Sequence, residues 1–224
     1  MDPEQARGVV EHTIAILRQS LNNILRDKAY DADAHNLCIA IVDFADGSND
    51  VLAAYSNDSA LTGKGLFEFL GLVPNTYSFH KEKAEAGVVG PYGCDGMAQH
   101  HTEPKLMNYL AASPEVRQRA LQAQRKLFKE SPKREDLWGL NQLLRPRLDL
   151  AMRHAARLPG ADAIVSVILA SEIDCCPTCV RYTINRFNAR YPTARLVRGK
   201  NLFELAKKAG QPTPFTKTTI SGRP

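Results

Sequence analysis

The chain has 224 residues, of which 44% are hydrophobic, and its 29 lysines and arginines outnumber 24 acidic residues to give a formal net charge of +5. This length and hydrophobic content suffice for one full core and do not require two, so we expect a single domain over residues 1–224. No apolar run approaches the roughly 20 residues of a membrane-spanning helix, and five cysteines without an N-terminal signal-peptide core argue against a secreted disulfide framework.

The first quarter of the chain predicts a helix followed by a hairpin. Apolar residues recur at helical spacing over residues 4–26, which predicts an amphipathic helix whose apolar stripe packs against a sheet. Residues 37–42 form an apolar, β-rich run, the turn pair Asp46-Gly47 follows, and residues 51–55 are again apolar. This order predicts two antiparallel strands joined by a tight turn.

Two stretches are predicted to be insertions in the domain, besides the N-terminal helical segment of residues 1–30. Residues 62–99 combine an apolar patch with a glycine- and proline-bearing loop that runs directly into His101. Residues 113–158 predict two or three helices that carry clustered basic side chains, which form either a solvated helix face or a clamp for a polyanion. These basic residues are Arg117, Arg119, Arg125, Lys126, Lys129, Lys133, Arg134, Arg145, Arg147, Arg153 and Arg157.

The cluster His101-Thr102-Glu103 is predicted to lie where a helix begins. Pro104 follows it directly, and proline is favoured at the first position of a helix, where its missing N–H costs nothing. Residues two apart do not share a face inside a regular helix. His101 and Glu103 can therefore serve one site only from such an irregular helix start.

A second cluster, Cys-Pro-Thr-Cys at residues 176–179, should also open a helix. Residues 163–170 are apolar without alternation, as expected of a central strand covered on both faces, and they lead into the cysteines. The remaining predicted elements are a strand at 194–197, a helix at 202–209 and an edge strand at about 215–220.

Together the two clusters supply one imidazole, two thiolates and one additional carboxylate. His101, Cys176 and Cys179 are the predicted ligands of a zinc ion, and Glu103 is the carboxylate that stays unligated. Three protein ligands leave one position on zinc open, as in catalytic sites, whereas a structural site closes the tetrahedron with a fourth Cys or His. The helix starts should also favour thiolate over thiol.

Two other interpretations of the clusters stay open at this point. His100 or Cys94 could complete a closed structural zinc site, and His100 could replace its neighbour as ligand. A redox-active Cys-x-x-Cys pair is the other possibility, although such a pair needs no partner His-x-Glu.

The pattern His-x-Glu followed downstream by Cys-x-x-Cys resembles the zinc-dependent nucleobase deaminases of the cytidine deaminase-like superfamily. The resemblance implies an α/β protein with a three-layer α/β/α fold and a mixed central sheet of about five strands. It also implies that zinc-bound water attacks the amino-bearing ring carbon while Glu103 moves protons. The order of predicted elements from residue 37 to residue 197 agrees with that fold.

The resemblance further implies two substrate contacts and one departure. Asn57, in the loop after the second strand, matches an asparagine that commonly contacts the substrate, and a donor near Thr102 would hold the base. The residue before the first ligand cysteine is usually proline in the family, whereas this chain has Cys175, which could compete with Cys176. Three aromatic residues are candidates for stacking on a base or for the core: Tyr77, Phe79 and Tyr92.

In character the chain is most similar to the nucleic-acid deaminases of bacterial toxin and effector systems, because of its helical insertion and basic balance. The expected substrate is cytosine in single-stranded or flipped-out nucleic acid, with a free nucleoside, nucleotide or modified base as the alternative. A non-catalytic zinc-stabilised module that binds nucleic acid or protein is the alternative of another class. The expected location is the cytoplasm, or a target cell reached without a classical signal peptide, and a toxin would have an immunity protein as partner.

Overall fold

A computed structural model describes the parts of the chain that carry the two clusters and the sheet between them. The described residues are 3–25, 36–56, 72–74, 76, 92, 101–130, 150–173, 175–192 and 195–198. The predicted elements at 202–209 and 215–220 lie outside them, as do most of residues 62–99 and Asn57.

The chain is a mixed α/β protein whose described strands form a four-stranded sheet in the order β2-β1-β3-β4. Strand β1 (Leu37–Phe44) is antiparallel to both β2 (Asn49–Tyr55) and β3 (Ile164–Ser171), and β3 is parallel to β4 (Arg195–Arg198). Beyond β2, Leu72 forms an isolated parallel bridge with Ala53. The sheet is therefore mixed, as predicted, and four of the roughly five predicted strands lie in the described residues.

The hairpin between β1 and β2 is confirmed, and its turn chemistry explains it. Gly47 has φ of 82°, a conformation that only glycine adopts without strain. The Asp46 carboxylate accepts hydrogen bonds from the backbone N–H of Ser48, at 2.9 Å, and from the Ser48 hydroxyl, at 2.6 Å. These bonds hold the pKa of Asp46 below its usual range.

Five helices occur among the described residues. They are α1 (Pro3–Leu25), α2 (Thr102–Ala111), α3 (Pro114–Glu130), α4 (residues 150–157) and α5, which runs without a break through the segments Pro177–Cys179, Val180–Ile184 and Asn185–Arg190. The middle segment of α5 is a π-helical turn. The predicted N-terminal helix and both helices after the two clusters are thus confirmed.

Helices pack on both faces of the sheet. One buried cluster joins the apolar stripe of α1 to alternate residues of β1, among them Val10, Leu17 and Ile39. The other joins α2 and α5 to the intervening residues of the same strand, among them Ala40 and Leu106. Strand β1 is consequently buried along almost its whole length, because every side chain meets a helix on one face or the other.

Arg117, predicted to belong to the basic face, instead lies in the interior. Its guanidinium is fully buried and donates hydrogen bonds to the carbonyl oxygens of Tyr109 (2.9 Å), Leu110 (3.1 Å), Leu158 (2.7 Å) and Pro159 (3.1 Å). These carbonyls belong to the C-terminal end of α2 and to the residues just after α4. Arg117 therefore joins helices and is not available to a phosphate, whereas Arg119, Arg153 and Arg157 are exposed.

No helix in the described ranges is both long enough and apolar enough to cross a membrane.

Candidate metal centre

Both sequence clusters lie at helix starts, as predicted. His101 is the N-cap residue of α2, with extended backbone at φ −69° and ψ 156°, and Pro104 falls in the first turn. Cys176 is the N-cap residue of α5, with φ −65° and ψ 156°, and Pro177 follows as the first helical residue. The starts of α2 and α5 thus meet at the end of the sheet where β3 finishes.

The three predicted ligands come together although 75 to 78 residues separate the histidine from the cysteines. Nδ1 of His101 lies 3.2 Å from Sγ of Cys179 and 3.6 Å from Sγ of Cys176. All three ligand atoms lie within 4.8 Å of one another. Usual zinc bond lengths and tetrahedral angles imply a nitrogen–sulfur separation of about 3.6 Å, so the group has the size and the donor chemistry that zinc requires.

Only this one group of potential metal ligands occurs within the described part of the chain. Of the two adjacent cysteines, Cys176 contributes to it, while Cys175 packs against the core cluster on the α2 side of the sheet. The group of potential ligands therefore contains Cys176 and not Cys175. His100 and Cys94, the residues that could close the site, lie outside the described ranges.

Burial dominates the electrostatics of the thiols. It raises the pKa of Cys179 far above the usual range, and the nearby Glu103 carboxylate adds to the rise. Burial likewise raises the pKa of Cys38, on the neighbouring strand β1, with Glu103 again the second cause. The helix start does not by itself make Cys179 a thiolate, so zinc would have to displace its proton. All four described cysteines are free thiols.

Glu103 is the carboxylate that accompanies the ligands, and it is held in place by a chain of hydrogen bonds. The side chain is 3% exposed, and its Oε2 accepts a hydrogen bond of 3.1 Å from the Thr102 hydroxyl. The Thr102 oxygen in turn accepts one of 2.9 Å from Nδ2 of Asn36. Within the described residues, Oε1 of Glu103 accepts no hydrogen bond.

One backbone N–H group determines which side chains donate and which accept along this chain of hydrogen bonds. The N–H of Ile173 can only donate, and it lies 3.0 Å from Oδ1 of Asn36, which fixes the oxygen end of the amide. The NH₂ end therefore donates to Thr102 and, at 2.7 Å, to the Ser171 hydroxyl. The hydroxyl proton of Thr102 is then left to point at Glu103, a stronger acceptor than the neighbouring Cys38 thiol.

Asn36 is the main residue of the site that the sequence did not reveal. Its backbone also exchanges hydrogen bonds with Ser56, at 2.8 and 3.0 Å, which ties the start of β1 to the end of β2 beside Asn57. No motif surrounds Asn36, and its only sequence feature is its position directly before an apolar strand. Its role depends on segments that come 66 and 135 residues later.

Glu172 is a second missed residue, and it anchors the loop that leads to the cysteines. Nε of Arg18 in α1 donates to Oε1 of Glu172 at 2.9 Å, and the backbone N–H of Leu37 donates to Oε2 at 2.9 Å. The Glu172 backbone N–H donates in return to the Leu37 carbonyl at 3.1 Å. Helix α1 and strand β1 thereby hold the end of β3 in position.

The start of α2 is fixed by contacts that use buried polar side chains. Nζ of Lys105 is fully buried and donates to the carbonyl of Tyr55 at 2.6 Å, which joins α2 to the end of β2. The amide of Asn108 pairs with both backbone groups of Tyr92, at 2.8 and 2.7 Å. Tyr92 is 4% exposed and its ring packs 5.3 Å from that of Phe187, so it belongs to the core and not to a base-stacking surface.

Comparisons of the chain with models of protein families, with curated proteins and with solved structures return no match. Function has to be inferred from the residues of the metal centre themselves.

Proposed function

We propose that the protein is a zinc-dependent hydrolytic deaminase that acts on a nucleobase. The proposed substrate is cytosine in single-stranded or flipped-out nucleic acid. The carrying observation is that a buried carboxylate, Glu103, accompanies a His-Cys-Cys group built from two helix starts. Helices on both faces of a mixed sheet support a three-layer α/β/α cytidine deaminase-like fold with about five strands. The order hairpin, α2, β3, α5 supports the same proposal.

In this proposal His101, Cys176 and Cys179 hold zinc, which when bound lowers the pKa of a coordinated water toward neutrality. Glu103 would take one proton from the attacking water at Oε1 and give it to the ring nitrogen. It would then take a second proton, from the oxygen added to the ring carbon, and give it to the amino group, which leaves as ammonia. Thr102 orients that carboxylate through Oε2. Asn57 contacts the sugar or base of the substrate.

Buried surroundings suit the proton transfer assigned to Glu103. The side chain is almost completely buried, so the orientation set by Thr102 should persist while the substrate is bound. The His101 ring presents Nδ1 to the sulfurs, so a neutral imidazole that carries its proton on Nε2 is the form that would bind metal.

The Glu103→Gln variant tests this proposal. It should bind one zinc per chain like the wild type, because Glu103 is not a ligand, and its rate of ammonia release should fall by about 10²-fold or more. Zinc is measured by elemental analysis, and ammonia is measured with cytidine and with single-stranded DNA and RNA as substrates. The matched control is His101→Ala, which should lose both metal and activity.

The outcomes separate the alternatives. Ammonia from cytidine but not from the polymers would assign a free nucleoside as substrate. A zinc-loaded wild type that binds oligonucleotides and releases no ammonia from any of them would contradict the deaminase proposal and leave a binding module. Retention of activity in Glu103→Gln would remove Glu103 from the mechanism.

A further inference from the structure

The π-helical turn in α5 changes which residues of that helix share a face. The N–H of Asn185 bonds to the carbonyl of Val180, five residues back, where an α-helix would bond four back. One turn thus contains an extra residue. Positions beyond the turn are rotated by about 100° relative to an uninterrupted α-helix, which advances about 100° per residue.

This rotation aligns three arginines. Arg181 and Arg190 are nine residues apart and would lie on opposite sides of an uninterrupted α-helix, about 180° from each other. With one extra residue in the turn they are separated by about 80°, and Arg186 falls midway between them. All three side chains are exposed. They form a row, here called the arginine row, of Arg181, Arg186 and Arg190.

The buried residues of α5 lie on the side of the helix away from the arginine row. Thr183, Ile184 and Phe187 are buried, and the last two belong to the core cluster that joins α2 and α5 to the sheet. The extra residue therefore serves both sides of the helix, because it lets one side reach the core while the arginines share the outer side.

The arginine row has the charge of a polyanion-binding surface. Residues 177–190 contain no Asp or Glu, and no ion pair to these arginines occurs among the described residues. The guanidinium of Arg181 lies 5.2 Å from the centre of the Tyr182 ring, and that of Arg190 lies 5.6 Å from the Tyr191 ring. The Tyr191 ring packs 4.9 Å from that of Phe187 and against the core, so Tyr182 is the aromatic residue that this argument uses. Positive charge beside an aromatic ring is typical of surfaces that bind single-stranded nucleic acid.

The arginine row also begins next to the metal centre, where a substrate strand would have to bind. Arg181 comes two residues after the ligand Cys179, and the row continues from there along α5 for about 13 Å at 1.5 Å per residue. We infer that the arginine row binds the phosphates of a single-stranded nucleic acid whose base enters the metal centre. The inference rests on the proposed function for the fate of that base.

A single strand fits these observations better than an acidic protein. Acidic side chains would use the arginines but would gain little from Tyr182 beside them, whereas every nucleobase has a flat face that stacks on aromatic rings and guanidinium planes. A nucleic-acid strand bound through its phosphates would also bring a base to the metal centre, whose ligand Cys179 comes two residues before Arg181.

The test measures binding of a fluorescent single-stranded oligonucleotide to the full chain, loaded with zinc and carrying Glu103→Gln so that no turnover occurs. Each lost phosphate contact reduces the slope of log affinity against log salt by about 0.7, so Arg181→Gln/Arg186→Gln/Arg190→Gln should lose about two units of slope. The same relation gives a loss of about 100-fold in affinity at about 0.1 M salt. Each single variant should lose about 0.7 of slope, which keeps the test valid if the triple variant does not fold.

The matched control is Arg119→Gln/Arg153→Gln/Arg157→Gln, which removes the same charge from exposed arginines of α3 and α4. Its slope should stay within about 0.5 of the parent. Equal losses in both triple variants, or none in either, would overturn the inference. Polyglutamate bound as tightly as the oligonucleotide, with the same dependence on the arginine row, would also overturn it and indicate an acidic protein partner.

Failure of this inference and failure of the proposed function are distinguishable. Binding that depends on the arginine row, together with no ammonia release by the zinc-loaded wild type, would retain the surface and contradict the deaminase. Ammonia release from cytidine without oligonucleotide binding would retain the deaminase and contradict the inferred binding surface.

Discussion

At the scale of single residues, the polarity of hydrogen bonds decides how Glu103 is presented. The backbone N–H of Ile173 orients the Asn36 amide, the amide makes Thr102 an acceptor, and the Thr102 proton is thereby directed to Glu103. Asn36 touches neither ligand nor carboxylate, so its contribution is one of positioning.

Replacing Asn36 with Asp should reverse the direction of its hydrogen bond with Thr102, while the shape of the side chain stays almost the same. Both side-chain oxygens of Asp can only accept, so Ile173 keeps its partner while Thr102 has to turn its proton away from Glu103. We expect kcat to fall by about 10- to 100-fold, with KM and zinc content near the wild-type values. Steady-state kinetics and elemental analysis measure the three quantities.

The control for this substitution is Thr102→Ser, which keeps the hydroxyl and should retain most of kcat. Thr102→Val should lose as much as Asn36→Asp, and the double variant Asn36→Asp/Thr102→Val should lose no more than either single change. Independent, multiplying losses would show that Asn36 acts by another route.

At the scale of secondary-structure elements, Arg117 completes the capping of α2, where the Tyr109 carbonyl also accepts a hydrogen bond of 3.3 Å from the Ala112 N–H. The last carbonyls of a helix have no partner within the helix. Arg117 in α3 supplies donors to Tyr109 and Leu110 in α2 and, across the chain, to Leu158 and Pro159 after α4. Burial lowers the pKa of this guanidinium, but the Tyr109 ring and Asp50 favour its charged form.

Arg117→Met should destabilise the fold strongly while preserving the length of the side chain. The carbonyls of Leu110, Leu158 and Pro159 lose the Arg117 donor, and that of Tyr109 keeps the Ala112 N–H. At about 1–3 kcal/mol for each carbonyl left unsatisfied, with partial access of water, the total loss should be about 3–5 kcal/mol. The free energy of unfolding is measured by denaturant titration. Arg119→Met, two residues away and exposed, should change it by about 0.5 kcal/mol or less.

Elements with a local cause could be predicted from the sequence. The hairpin follows from Asp46-Gly47, both cluster helices follow from His101 and Cys176 with their neighbouring prolines, and the ligand set follows from spacing. Arg117 was misjudged because a basic residue in a helix usually faces solvent, and its carbonyl partners come up to 42 residues later. The Asn36 contacts depend in the same way on distant segments.

At the scale of the whole molecule, the metal centre joins distant halves of the chain. His101 begins α2, the cysteines begin α5, and β3 with its anchoring residue Glu172 lies between them. An ion held by both helices would therefore favour the folded state over the unfolded one, and binding of zinc and folding would be thermodynamically linked.

Removal of zinc with a chelator should lower the melting temperature, and zinc added back should restore it. At a free zinc concentration about 100 times Kd the gain in stability is about 2.7 kcal/mol. Scanning calorimetry at several zinc concentrations measures the effect. Cys179→Ser should weaken the response strongly, whereas Cys175→Ser should leave it unchanged, since Cys175 lies outside the ligand group.

The same linkage has a defined dependence on pH. Burial raises the pKa of Cys179, so the thiol is protonated in the metal-free fold and zinc must release that proton. Affinity for zinc should therefore rise with pH and fall on acidification, by about tenfold per pH unit for each proton released. Competition with a chelator of known pH dependence measures this slope, and an affinity independent of pH would exclude thiolate ligands.

The extra residue in α5 also has an evolutionary consequence. A relative with the same Cys-x-x-Cys and one residue fewer before the position of Phe187 would form a regular helix, whose later positions face about 100° away. In a sequence alignment, its core phenylalanine and its surface charges would then fall at other positions than in this chain. Insertions and deletions of a single residue in this segment would therefore mark lineages that rebuilt both sides of the helix together.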